Sequence, residues 1–467
     1  MTARLRPRRA VPSSRASVVP PSISTCGLMA DIHPNTLTRW LSIVGIGEDG
    51  VAGLSKSARA LIESAGIVFG GTRHLSLAAP LIRGASHAWR NPLEDSVSDI
   101  MAHRGKPVCV LASGDPFQHG IGSVLARHIS PEEAAVIPAL SAYTLAAARL
   151  LWPLNQTTVL SLCGRPLEYL HPHLQPNARI LAFTSGASAP ASIAELLRAS
   201  GFGDSRMTVL ESLGGPHERI RSSSASGFNI GDIGPLNTVA IEVTADPEAA
   251  RVLPRAPGLA DELFEHDGQI TKREIRALTL SSLAPRRGEL LWDVGAGSGS
   301  VAIEWMLADP SLRAVALERR DDRAARVRRN AVTFGVPNLE VVDGEAPAAL
   351  EELQTPDAVF IGGGATTPGV IEAVQRRLRT GGRLVINAVT LESEAVLLKA
   401  HAQHGGDLLR AEIQRARPIG RRAARGTQPV SSASAEDASG EDADADDARY
   451  TSWQPARPIT QWTWVKR

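Results

Sequence analysis

Asp293, Gly295, Gly297, Gly299 and Glu318 have the types and spacing to hold a charged nucleoside ligand. Four of them sit in the run LLWDVGAGSGSVAIEWM, and Glu318 ends the next apolar segment. Glycines let a chain turn tightly and bring its backbone close to a ligand. A helix starting near Ser300 would point free N–H groups at polar or anionic ligand atoms. A carboxylate at 318 can accept hydrogen bonds from ribose hydroxyls. Both NAD and S-adenosylmethionine suit such a loop. Two details favour S-adenosylmethionine. The spacing is GxGxG rather than GxGxxG, and Asp293, two residues ahead of Gly295, can face an amino-acid ammonium. Ala296 and Ser298 complete this expected cofactor loop.

A second glycine-rich run, VGIGEDG (44–50), matches GxGxxG but fails as a dinucleotide loop. That fingerprint needs a helix opening within the glycines and an acid at the end of the next strand. Here the helix is delayed to about Ser55, an expected N-cap, and the next apolar run ends in Gly70–Gly71. More informative runs follow it. LASGDPFQHGIG (111–122) places Ser113, Gly114 and Asp115 directly after an apolar strand. PALSAYTLAAARLLWPL (138–154) opens with a turn capped by Ser141 and continues as an Ala-rich helix from Ala142. ESLGGPHERI (211–220) adds a polar turn.

Short β-branched runs alternating with helical stretches must position these loops. From Trp40 to Val243 eight runs read as strands, among them LSIVGIG, PVCVLASGDP, RILAFTS and TVAIEV, and the rhythm predicts a mainly parallel α/β sheet. TADPEAARVLPRAPG (244–258) has no clear period and reads as an exposed linker. A second βα series follows, and LLRAEIQRARPI with ITQWTWVKR is expected to close it as an antiparallel hairpin. The resulting division is an extension over 1–39, a unit over 40–245, a linker over 246–262 and a unit over 263–467.

The N-terminal set of motifs resembles the tetrapyrrole methylase family. This resemblance implies a two-lobed fold that binds S-adenosylmethionine between its lobes, with Gly45, Gly47, Ser113, Gly114, Asp115, Ser141 and Ala142 as contacts. The chain departs from the family at CGR (163–165), where HGR is common. The segments GQITKREIRALTLSSLAPRRGELLWDVGAGSGSVAIEW, VVDGEAPAAL and DAVFIGGG are similar to the decarboxylating precorrin methyltransferases of cobalamin synthesis. That resemblance implies a Rossmann-like class I methyltransferase fold, with Thr271, the 295–299 loop, Glu318 and Ala346 contacting the cofactor. The two units in this order resemble the fused precorrin-6Y C5,15-methyltransferases. Their substrate is a precorrin, an acidic macrocycle methylated at C5 and C15 with loss of the C12 acetate as CO₂. One S-adenosylmethionine per domain, a homo-oligomer and a cytoplasmic setting are the accompanying expectations. Lys272, Arg273 and Arg276 are candidates for holding substrate carboxylates, and Glu274 is an N-terminal helix residue or a catalytic one.

Composition narrows the alternatives. The formal net charge of +1 and the absence of a long apolar run argue against nucleic acid and membrane as partners. Cys26, Cys109 and Cys163 are far apart, so no disulfide framework is expected; Cys109 and Cys163 read as buried thiols in strands. His171 and His173 flank Pro172 without an evident third ligand, so no metal is expected. Trp292, Trp305, Trp462 and Trp464 read as packing residues. The acidic stretch within 426–448 reads as a disordered loop. Two other readings remain open: a C-terminal unit acting on another small molecule or on RNA, and a non-catalytic tetrapyrrole-binding protein.

Overall fold

The computed structural model describes residues 39–418 and 451–467. The expected extension over 1–39, apart from its last residue, and the acidic loop over 426–448 lie outside the described residues.

The first sheet contains β1 (Leu41–Ile46), β2 (Ile67–Gly70), β3 (Ala85–Ala88), β4 (Val108–Ser113) and β5 (Ala134–Ile137), in the order β3-β2-β4-β1-β5. All its pairings are parallel. β1 and β4 are buried nearly throughout, as strands covered by helices on both faces must be, and this explains their continuous apolar sequences.

The second sheet contains β6 (Thr158–Ser161), β7 (Arg179–Phe183), β8 (Arg206–Glu211), β9 (Arg219–Ser224) and β10 (Asn237–Glu242), in the order β6-β7-β10-β8-β9. Only β6–β7 is parallel; the other three pairings are antiparallel. The two sheets make the two lobes expected from the family resemblance; the mainly parallel pairing read from the βα rhythm holds in the first sheet, whereas the second is mostly antiparallel. The seven residues between β8 and β9 can turn a hairpin but cannot make the helical crossover a parallel pair needs. β3 and β9 lack an apolar run because their side chains are largely exposed.

The third sheet holds β11 (Leu290–Val294), β12 (Arg313–Glu318), β13 (Glu340–Asp343), β14 (Ala358–Ile361), β15 (Arg383–Ala388), β16 (Asp407–Ala411) and, last in the chain, β19 (Ile459–Val465). Its order is β13-β12-β11-β14-β15-β19-β16. The first five strands are parallel, and β19 runs antiparallel between β15 and β16. The expected terminal hairpin is thus present. It continues past the sheet as a two-stranded ribbon of β17 (Gln414–Pro418) and β18 (Thr451–Pro455).

Two apolar layers sandwich this sheet, with Trp305 and Phe334 in one and Trp292 and Trp462 in the other. Trp292, Trp305 and Trp462 are fully buried and Trp464 packs at the edge, so all four are packing residues.

The segment expected to be an exposed linker is instead held at both ends. Ala245, Ala250 and Val252 pack on the core of the second sheet, while Leu253 and Leu259 are buried in the third. Gln175 Nε2 donates to the Leu253 carbonyl at 2.9 Å, and Arg251 lies over the Phe334 ring. Its prolines forbid regular structure yet leave apolar side chains free to dock, and composition alone cannot separate these outcomes.

Candidate active site

The first site forms where β1, β4 and β5 end together. Ile46 lies beside Ser113 in the parallel register, and Gly114 N donates to the Ile46 carbonyl at 3.2 Å. Ala139 N in turn donates to the Gly114 carbonyl at 3.1 Å. A Cβ on Gly45 would come within 1.9 Å of that carbonyl oxygen. Gly45, expected to touch the ligand, therefore serves the close approach of two loops.

Between the lobes lies a cavity of about 260 Å³. Gly47, Ser113 and Gly114 line it from the first lobe, Ser141 and Ala142 from the start of a helix packed on the second sheet, and Phe183, Thr184, Leu210, Asn237 and Thr238 from the second lobe. Five of the seven expected contacts thus meet at one cleft. Ser141 Oγ caps the helix Ala142–Leu150 by accepting from Thr144 N at 3.2 Å. Asp115 is not part of the lining; its Oδ1 accepts from Phe117 N at 2.8 Å and so shapes the turn rather than the surface. The second-lobe wall is braced by Tyr143, which stacks on Phe183 with ring centroids 3.6 Å apart.

Sequence reasoning missed Glu48, Arg73 and most of the second-lobe wall, which carries no local signature. It also misplaced Cys163. β6 ends at Ser161, so Cys163 is an exposed turn residue on the cavity wall, its Sγ 3.3 Å from the Thr184 carbonyl. Cys109 is buried as expected, and burial pushes its thiol up to about 12.

The second site lies at the reversal of strand order between β11 and β14, where open parallel sheets bind ligands. The glycines of the 295–299 loop have separate tasks. A Cβ on Gly295 would approach the Gly363 backbone to 2.9 Å, so this glycine seats one loop on the other. Gly299, at φ +76°, caps the helix Ser300–Ala308, and its Cβ would lie 2.7 Å from Val327 Cγ1. Gly297, at φ +61°, faces open space, with only the Gln269 carbonyl oxygen at 3.4 Å. Glu318 Oε2 accepts from Gly297 N at 2.9 Å and Oε1 from Arg320 N at 3.1 Å. That carboxylate sets the loop's shape from below.

Asp293 does not lie on the surface expected for a ligand's ammonium. It is 1% exposed, and its Oδ2 accepts from Ala302 N at 3.0 Å, inside the first turn of the helix. Burial, with the nearby Glu318 charge adding to it, raises its carboxyl to about 7. Its Oδ1 and the Ser298 Oγ are buried with no partner among the described residues.

Arg276 also departs from expectation. Its side chain is fully buried and bonds Glu304 Oε1 at 2.5 Å, Asp261 Oδ1 at 3.1 Å and the carbonyls of Thr271 and Leu259. Four acceptors take four of its five N–H groups, and full burial keeps the fifth out of reach of a substrate carboxylate. Glu304 completes the lock by accepting from Gly258 N and Leu259 N at 2.6 and 2.9 Å. Lys272 and Arg273 are exposed at the start of the helix Arg273–Leu283, Lys272 lying 3.8 Å from Asp261. Glu274 pairs with Arg415 of the ribbon at 2.6 Å. Thr271 is half-buried, and Ala346 packs against the second apolar layer. Among the described residues no cluster of three or more His, Cys, Asp or Glu is placed to hold a metal ion. No helix there is long and apolar enough to cross a membrane.

Residues 41–227 match the tetrapyrrole (corrin/porphyrin) methylases and residues 262–435 the precorrin methyltransferase domain. A precorrin-6Y C(5,15)-methyltransferase (decarboxylating) of a Sinorhizobium species is 54% identical over 441 residues, which cover 94% of this chain and 100% of that protein. The chain belongs to the precorrin-6Y C5,15-methyltransferase family. A member from Mycobacterium tuberculosis is 38% identical over 91% of this chain and 99% of its own length. A shorter protein of Saccharolobus solfataricus, named "Probable cobalt-precorrin-6B C(15)-methyltransferase (decarboxylating)", is 39% identical over 32% of this chain and 78% of its own.

The family consists of S-adenosylmethionine-dependent methyltransferases. The second site fits that cofactor: it combines an open edge at Gly297 with unpaired buried acceptors at Asp293 and Ser298. Buried polar atoms of this kind ordinarily have partners, so two beside one open loop indicate a place for a polar ligand.

Proposed function

We propose that the chain methylates a precorrin at C5 and C15 and removes its C12 acetate as CO₂, giving precorrin-8X in cobalamin biosynthesis. The observation that carries this reading is the 54% identity over 94% of the chain, which spans both sites and the segment joining them. One S-adenosylmethionine per domain is part of the proposal. Residues 40–245 would carry C5 methylation, and residues 263–467 C15 methylation with decarboxylation.

When bound, S-adenosylmethionine supplies a sulfonium methyl that a nucleophilic ring carbon displaces in line. The protein's task is then alignment, which can contribute much of the rate without a general acid or base. In the first domain the turns at Gly47, Ser113–Gly114 and Ser141–Ala142 would orient the cofactor between the lobes. In the second, the Gly297 edge, Ser298 and Thr271 would hold it, with Glu318 fixing the loop. Lys272 and Arg273, exposed at the start of their helix with Lys272 near Asp261, are the cations that would receive substrate carboxylates. For the decarboxylation the chain must hold the acetate where water solvates it poorly, while the bond electrons pass into the conjugated ring.

The test is incubation with precorrin-6B and labelled S-adenosylmethionine, with product mass and released CO₂ as readouts. Gly297→Asp should abolish CO₂ release and one methyl transfer; Asp115→Ala should keep CO₂ release and lose the other methyl. CO₂ release that survives Gly297→Asp but not Asp115→Ala would reverse the domain assignment. Binding of two cofactor equivalents per chain would favour an enzyme with two working sites over a non-catalytic tetrapyrrole-binding protein.

A further inference from the structure

Arg73 opens the helix Thr72–Ala78 and reaches the rim of the N-terminal cavity. Among the described residues it carries the only guanidinium or ammonium group in the cavity lining, where the other titratable side chains are Glu48, His119 and Cys163. Three contacts hold it. It forms an ion pair with Glu48, and its second terminal nitrogen lies 2.7 Å from His74 Nε2 and 3.5 Å from Ser113 Oγ. Because a guanidinium can only donate, His74 Nε2 must accept, which places the imidazole proton on Nδ1. Burial, reinforced by the Arg73 charge, lowers His74 to about 4, so the ring is neutral near pH 7 and orients the arginine without repelling it.

The cavity volume of about 260 Å³ lies below that of ordinary single-ligand pockets, roughly 300–1,000 Å³. It cannot enclose a four-ring macrocycle beside a methyl donor, so the macrocycle must lie across the mouth. Arg73, with 38% of its side chain exposed, is at that mouth rather than in the interior. The contacts to Glu48, His74 and Ser113 occupy part of the fork and fix its orientation, leaving the remaining N–H groups to donate to a carboxylate at the mouth.

We propose that Arg73 receives a carboxylate arm of the macrocycle at the N-terminal site, with Glu48 and neutral His74 as positioning residues. This rests on the precorrin reading above and adds a substrate contact to it.

The experiment compares Arg73→Gln and Arg73→Lys with the unsubstituted full-length chain. It measures C5-methyl formation by product mass, the precorrin KM, the S-adenosylhomocysteine Kd by calorimetry and the melting temperature. Loss of one charge-assisted contact predicts a rise in KM for C5 methylation of about 10- to 100-fold in Arg73→Gln. Arg73→Lys should fall between it and the parent, because it keeps the charge and loses the fork. S-adenosylhomocysteine affinity should change less than twofold, while CO₂ release and C15 methylation continue. An unchanged KM for C5 methylation in an otherwise active chain overturns the inference alone. A tenfold loss of S-adenosylhomocysteine affinity also overturns it, by placing Arg73 on the cofactor. If the unsubstituted chain leaves precorrin unmethylated, the functional reading fails and this inference with it.

Discussion

Gly297 and Gly299 stand two residues apart in one loop, both with positive φ, yet alanine at each should do opposite things. An alanine in the left-handed region costs about 1–2 kcal/mol at either position. At 299 the new methyl would also lie 2.7 Å from Val327 Cγ1, on the helix Asp321–Thr333 that the loop packs against. Overpacking of this kind adds about 1–3 kcal/mol. At 297 the nearest atom is 3.4 Å away, an ordinary contact, and nothing further is added. Gly299→Ala should therefore melt below Gly297→Ala by about 2–12 °C, at 2–4 °C per kcal/mol for a unit of this size. Cofactor affinity should rank the other way. The 297 methyl enters the open edge and should weaken S-adenosylhomocysteine binding at this site about tenfold or more, as overpacking of about 1–3 kcal/mol implies. Differential scanning calorimetry and a calorimetric titration on the full chain read both quantities. If Gly297→Ala is the less stable variant, or binds with parental affinity, the division of labour derived for this loop is wrong.

Three further outcomes follow from the same geometry. Glu304→Gln should destabilise the C-terminal unit by about 1–3 kcal/mol, since it removes the charged acceptor shared by Arg276, Gly258 N and Leu259 N and leaves Asp261 as the remaining carboxylate on Arg276; Glu195→Gln, which breaks the exposed pair with Arg198, should be near neutral in the same denaturant titration. Asp293 keeps its proton in the folded chain up to about pH 7, whereas the unfolded chain releases it near pH 4. Folding stability should therefore fall as pH rises between those values and level off above them, and Asp293→Asn should flatten that part of the profile; superimposable profiles would refute the raised carboxyl. In a Cys26→Ser background, iodoacetamide should label Cys163 and spare buried Cys109, and S-adenosylhomocysteine should slow the labelling because Cys163 lines the cleft. Unprotected labelling at saturating ligand would put the cofactor elsewhere.

Much of the fold was legible because its strands are buried on both faces. β1, β4, β11, β12, β14 and β15 read as apolar runs with glycine or polar turns between them, and local chemistry marked Ser55 and Ser141 as helix caps. β3 and β9 escaped because exposed strands need no apolar pattern. The docking of 246–262 escaped because prolines advertise a break in secondary structure and say nothing of where Leu253 and Leu259 go.

The sequence by itself determined what depends on neighbours along the chain: the two βα series, the loop at 295–299, the turn at 113–115 and the family. These follow from backbone propensity and spacing, which act over a few residues. Only the tertiary structure decided which polar groups face a ligand. Arg276 looked like a ligand contact in sequence, but Glu304, brought to it by another helix, claims it for the interior, whereas Asp293 gives one oxygen to Ala302 N and leaves the other unpartnered beneath the loop. Arg73 carried no motif, and Cys163 looked like core. The meeting of two lobes places both on a cavity wall. A side chain's burial and its partners are set by segments distant in sequence, and the cost of leaving a buried charge or donor unpaired is what makes those long-range assignments binding.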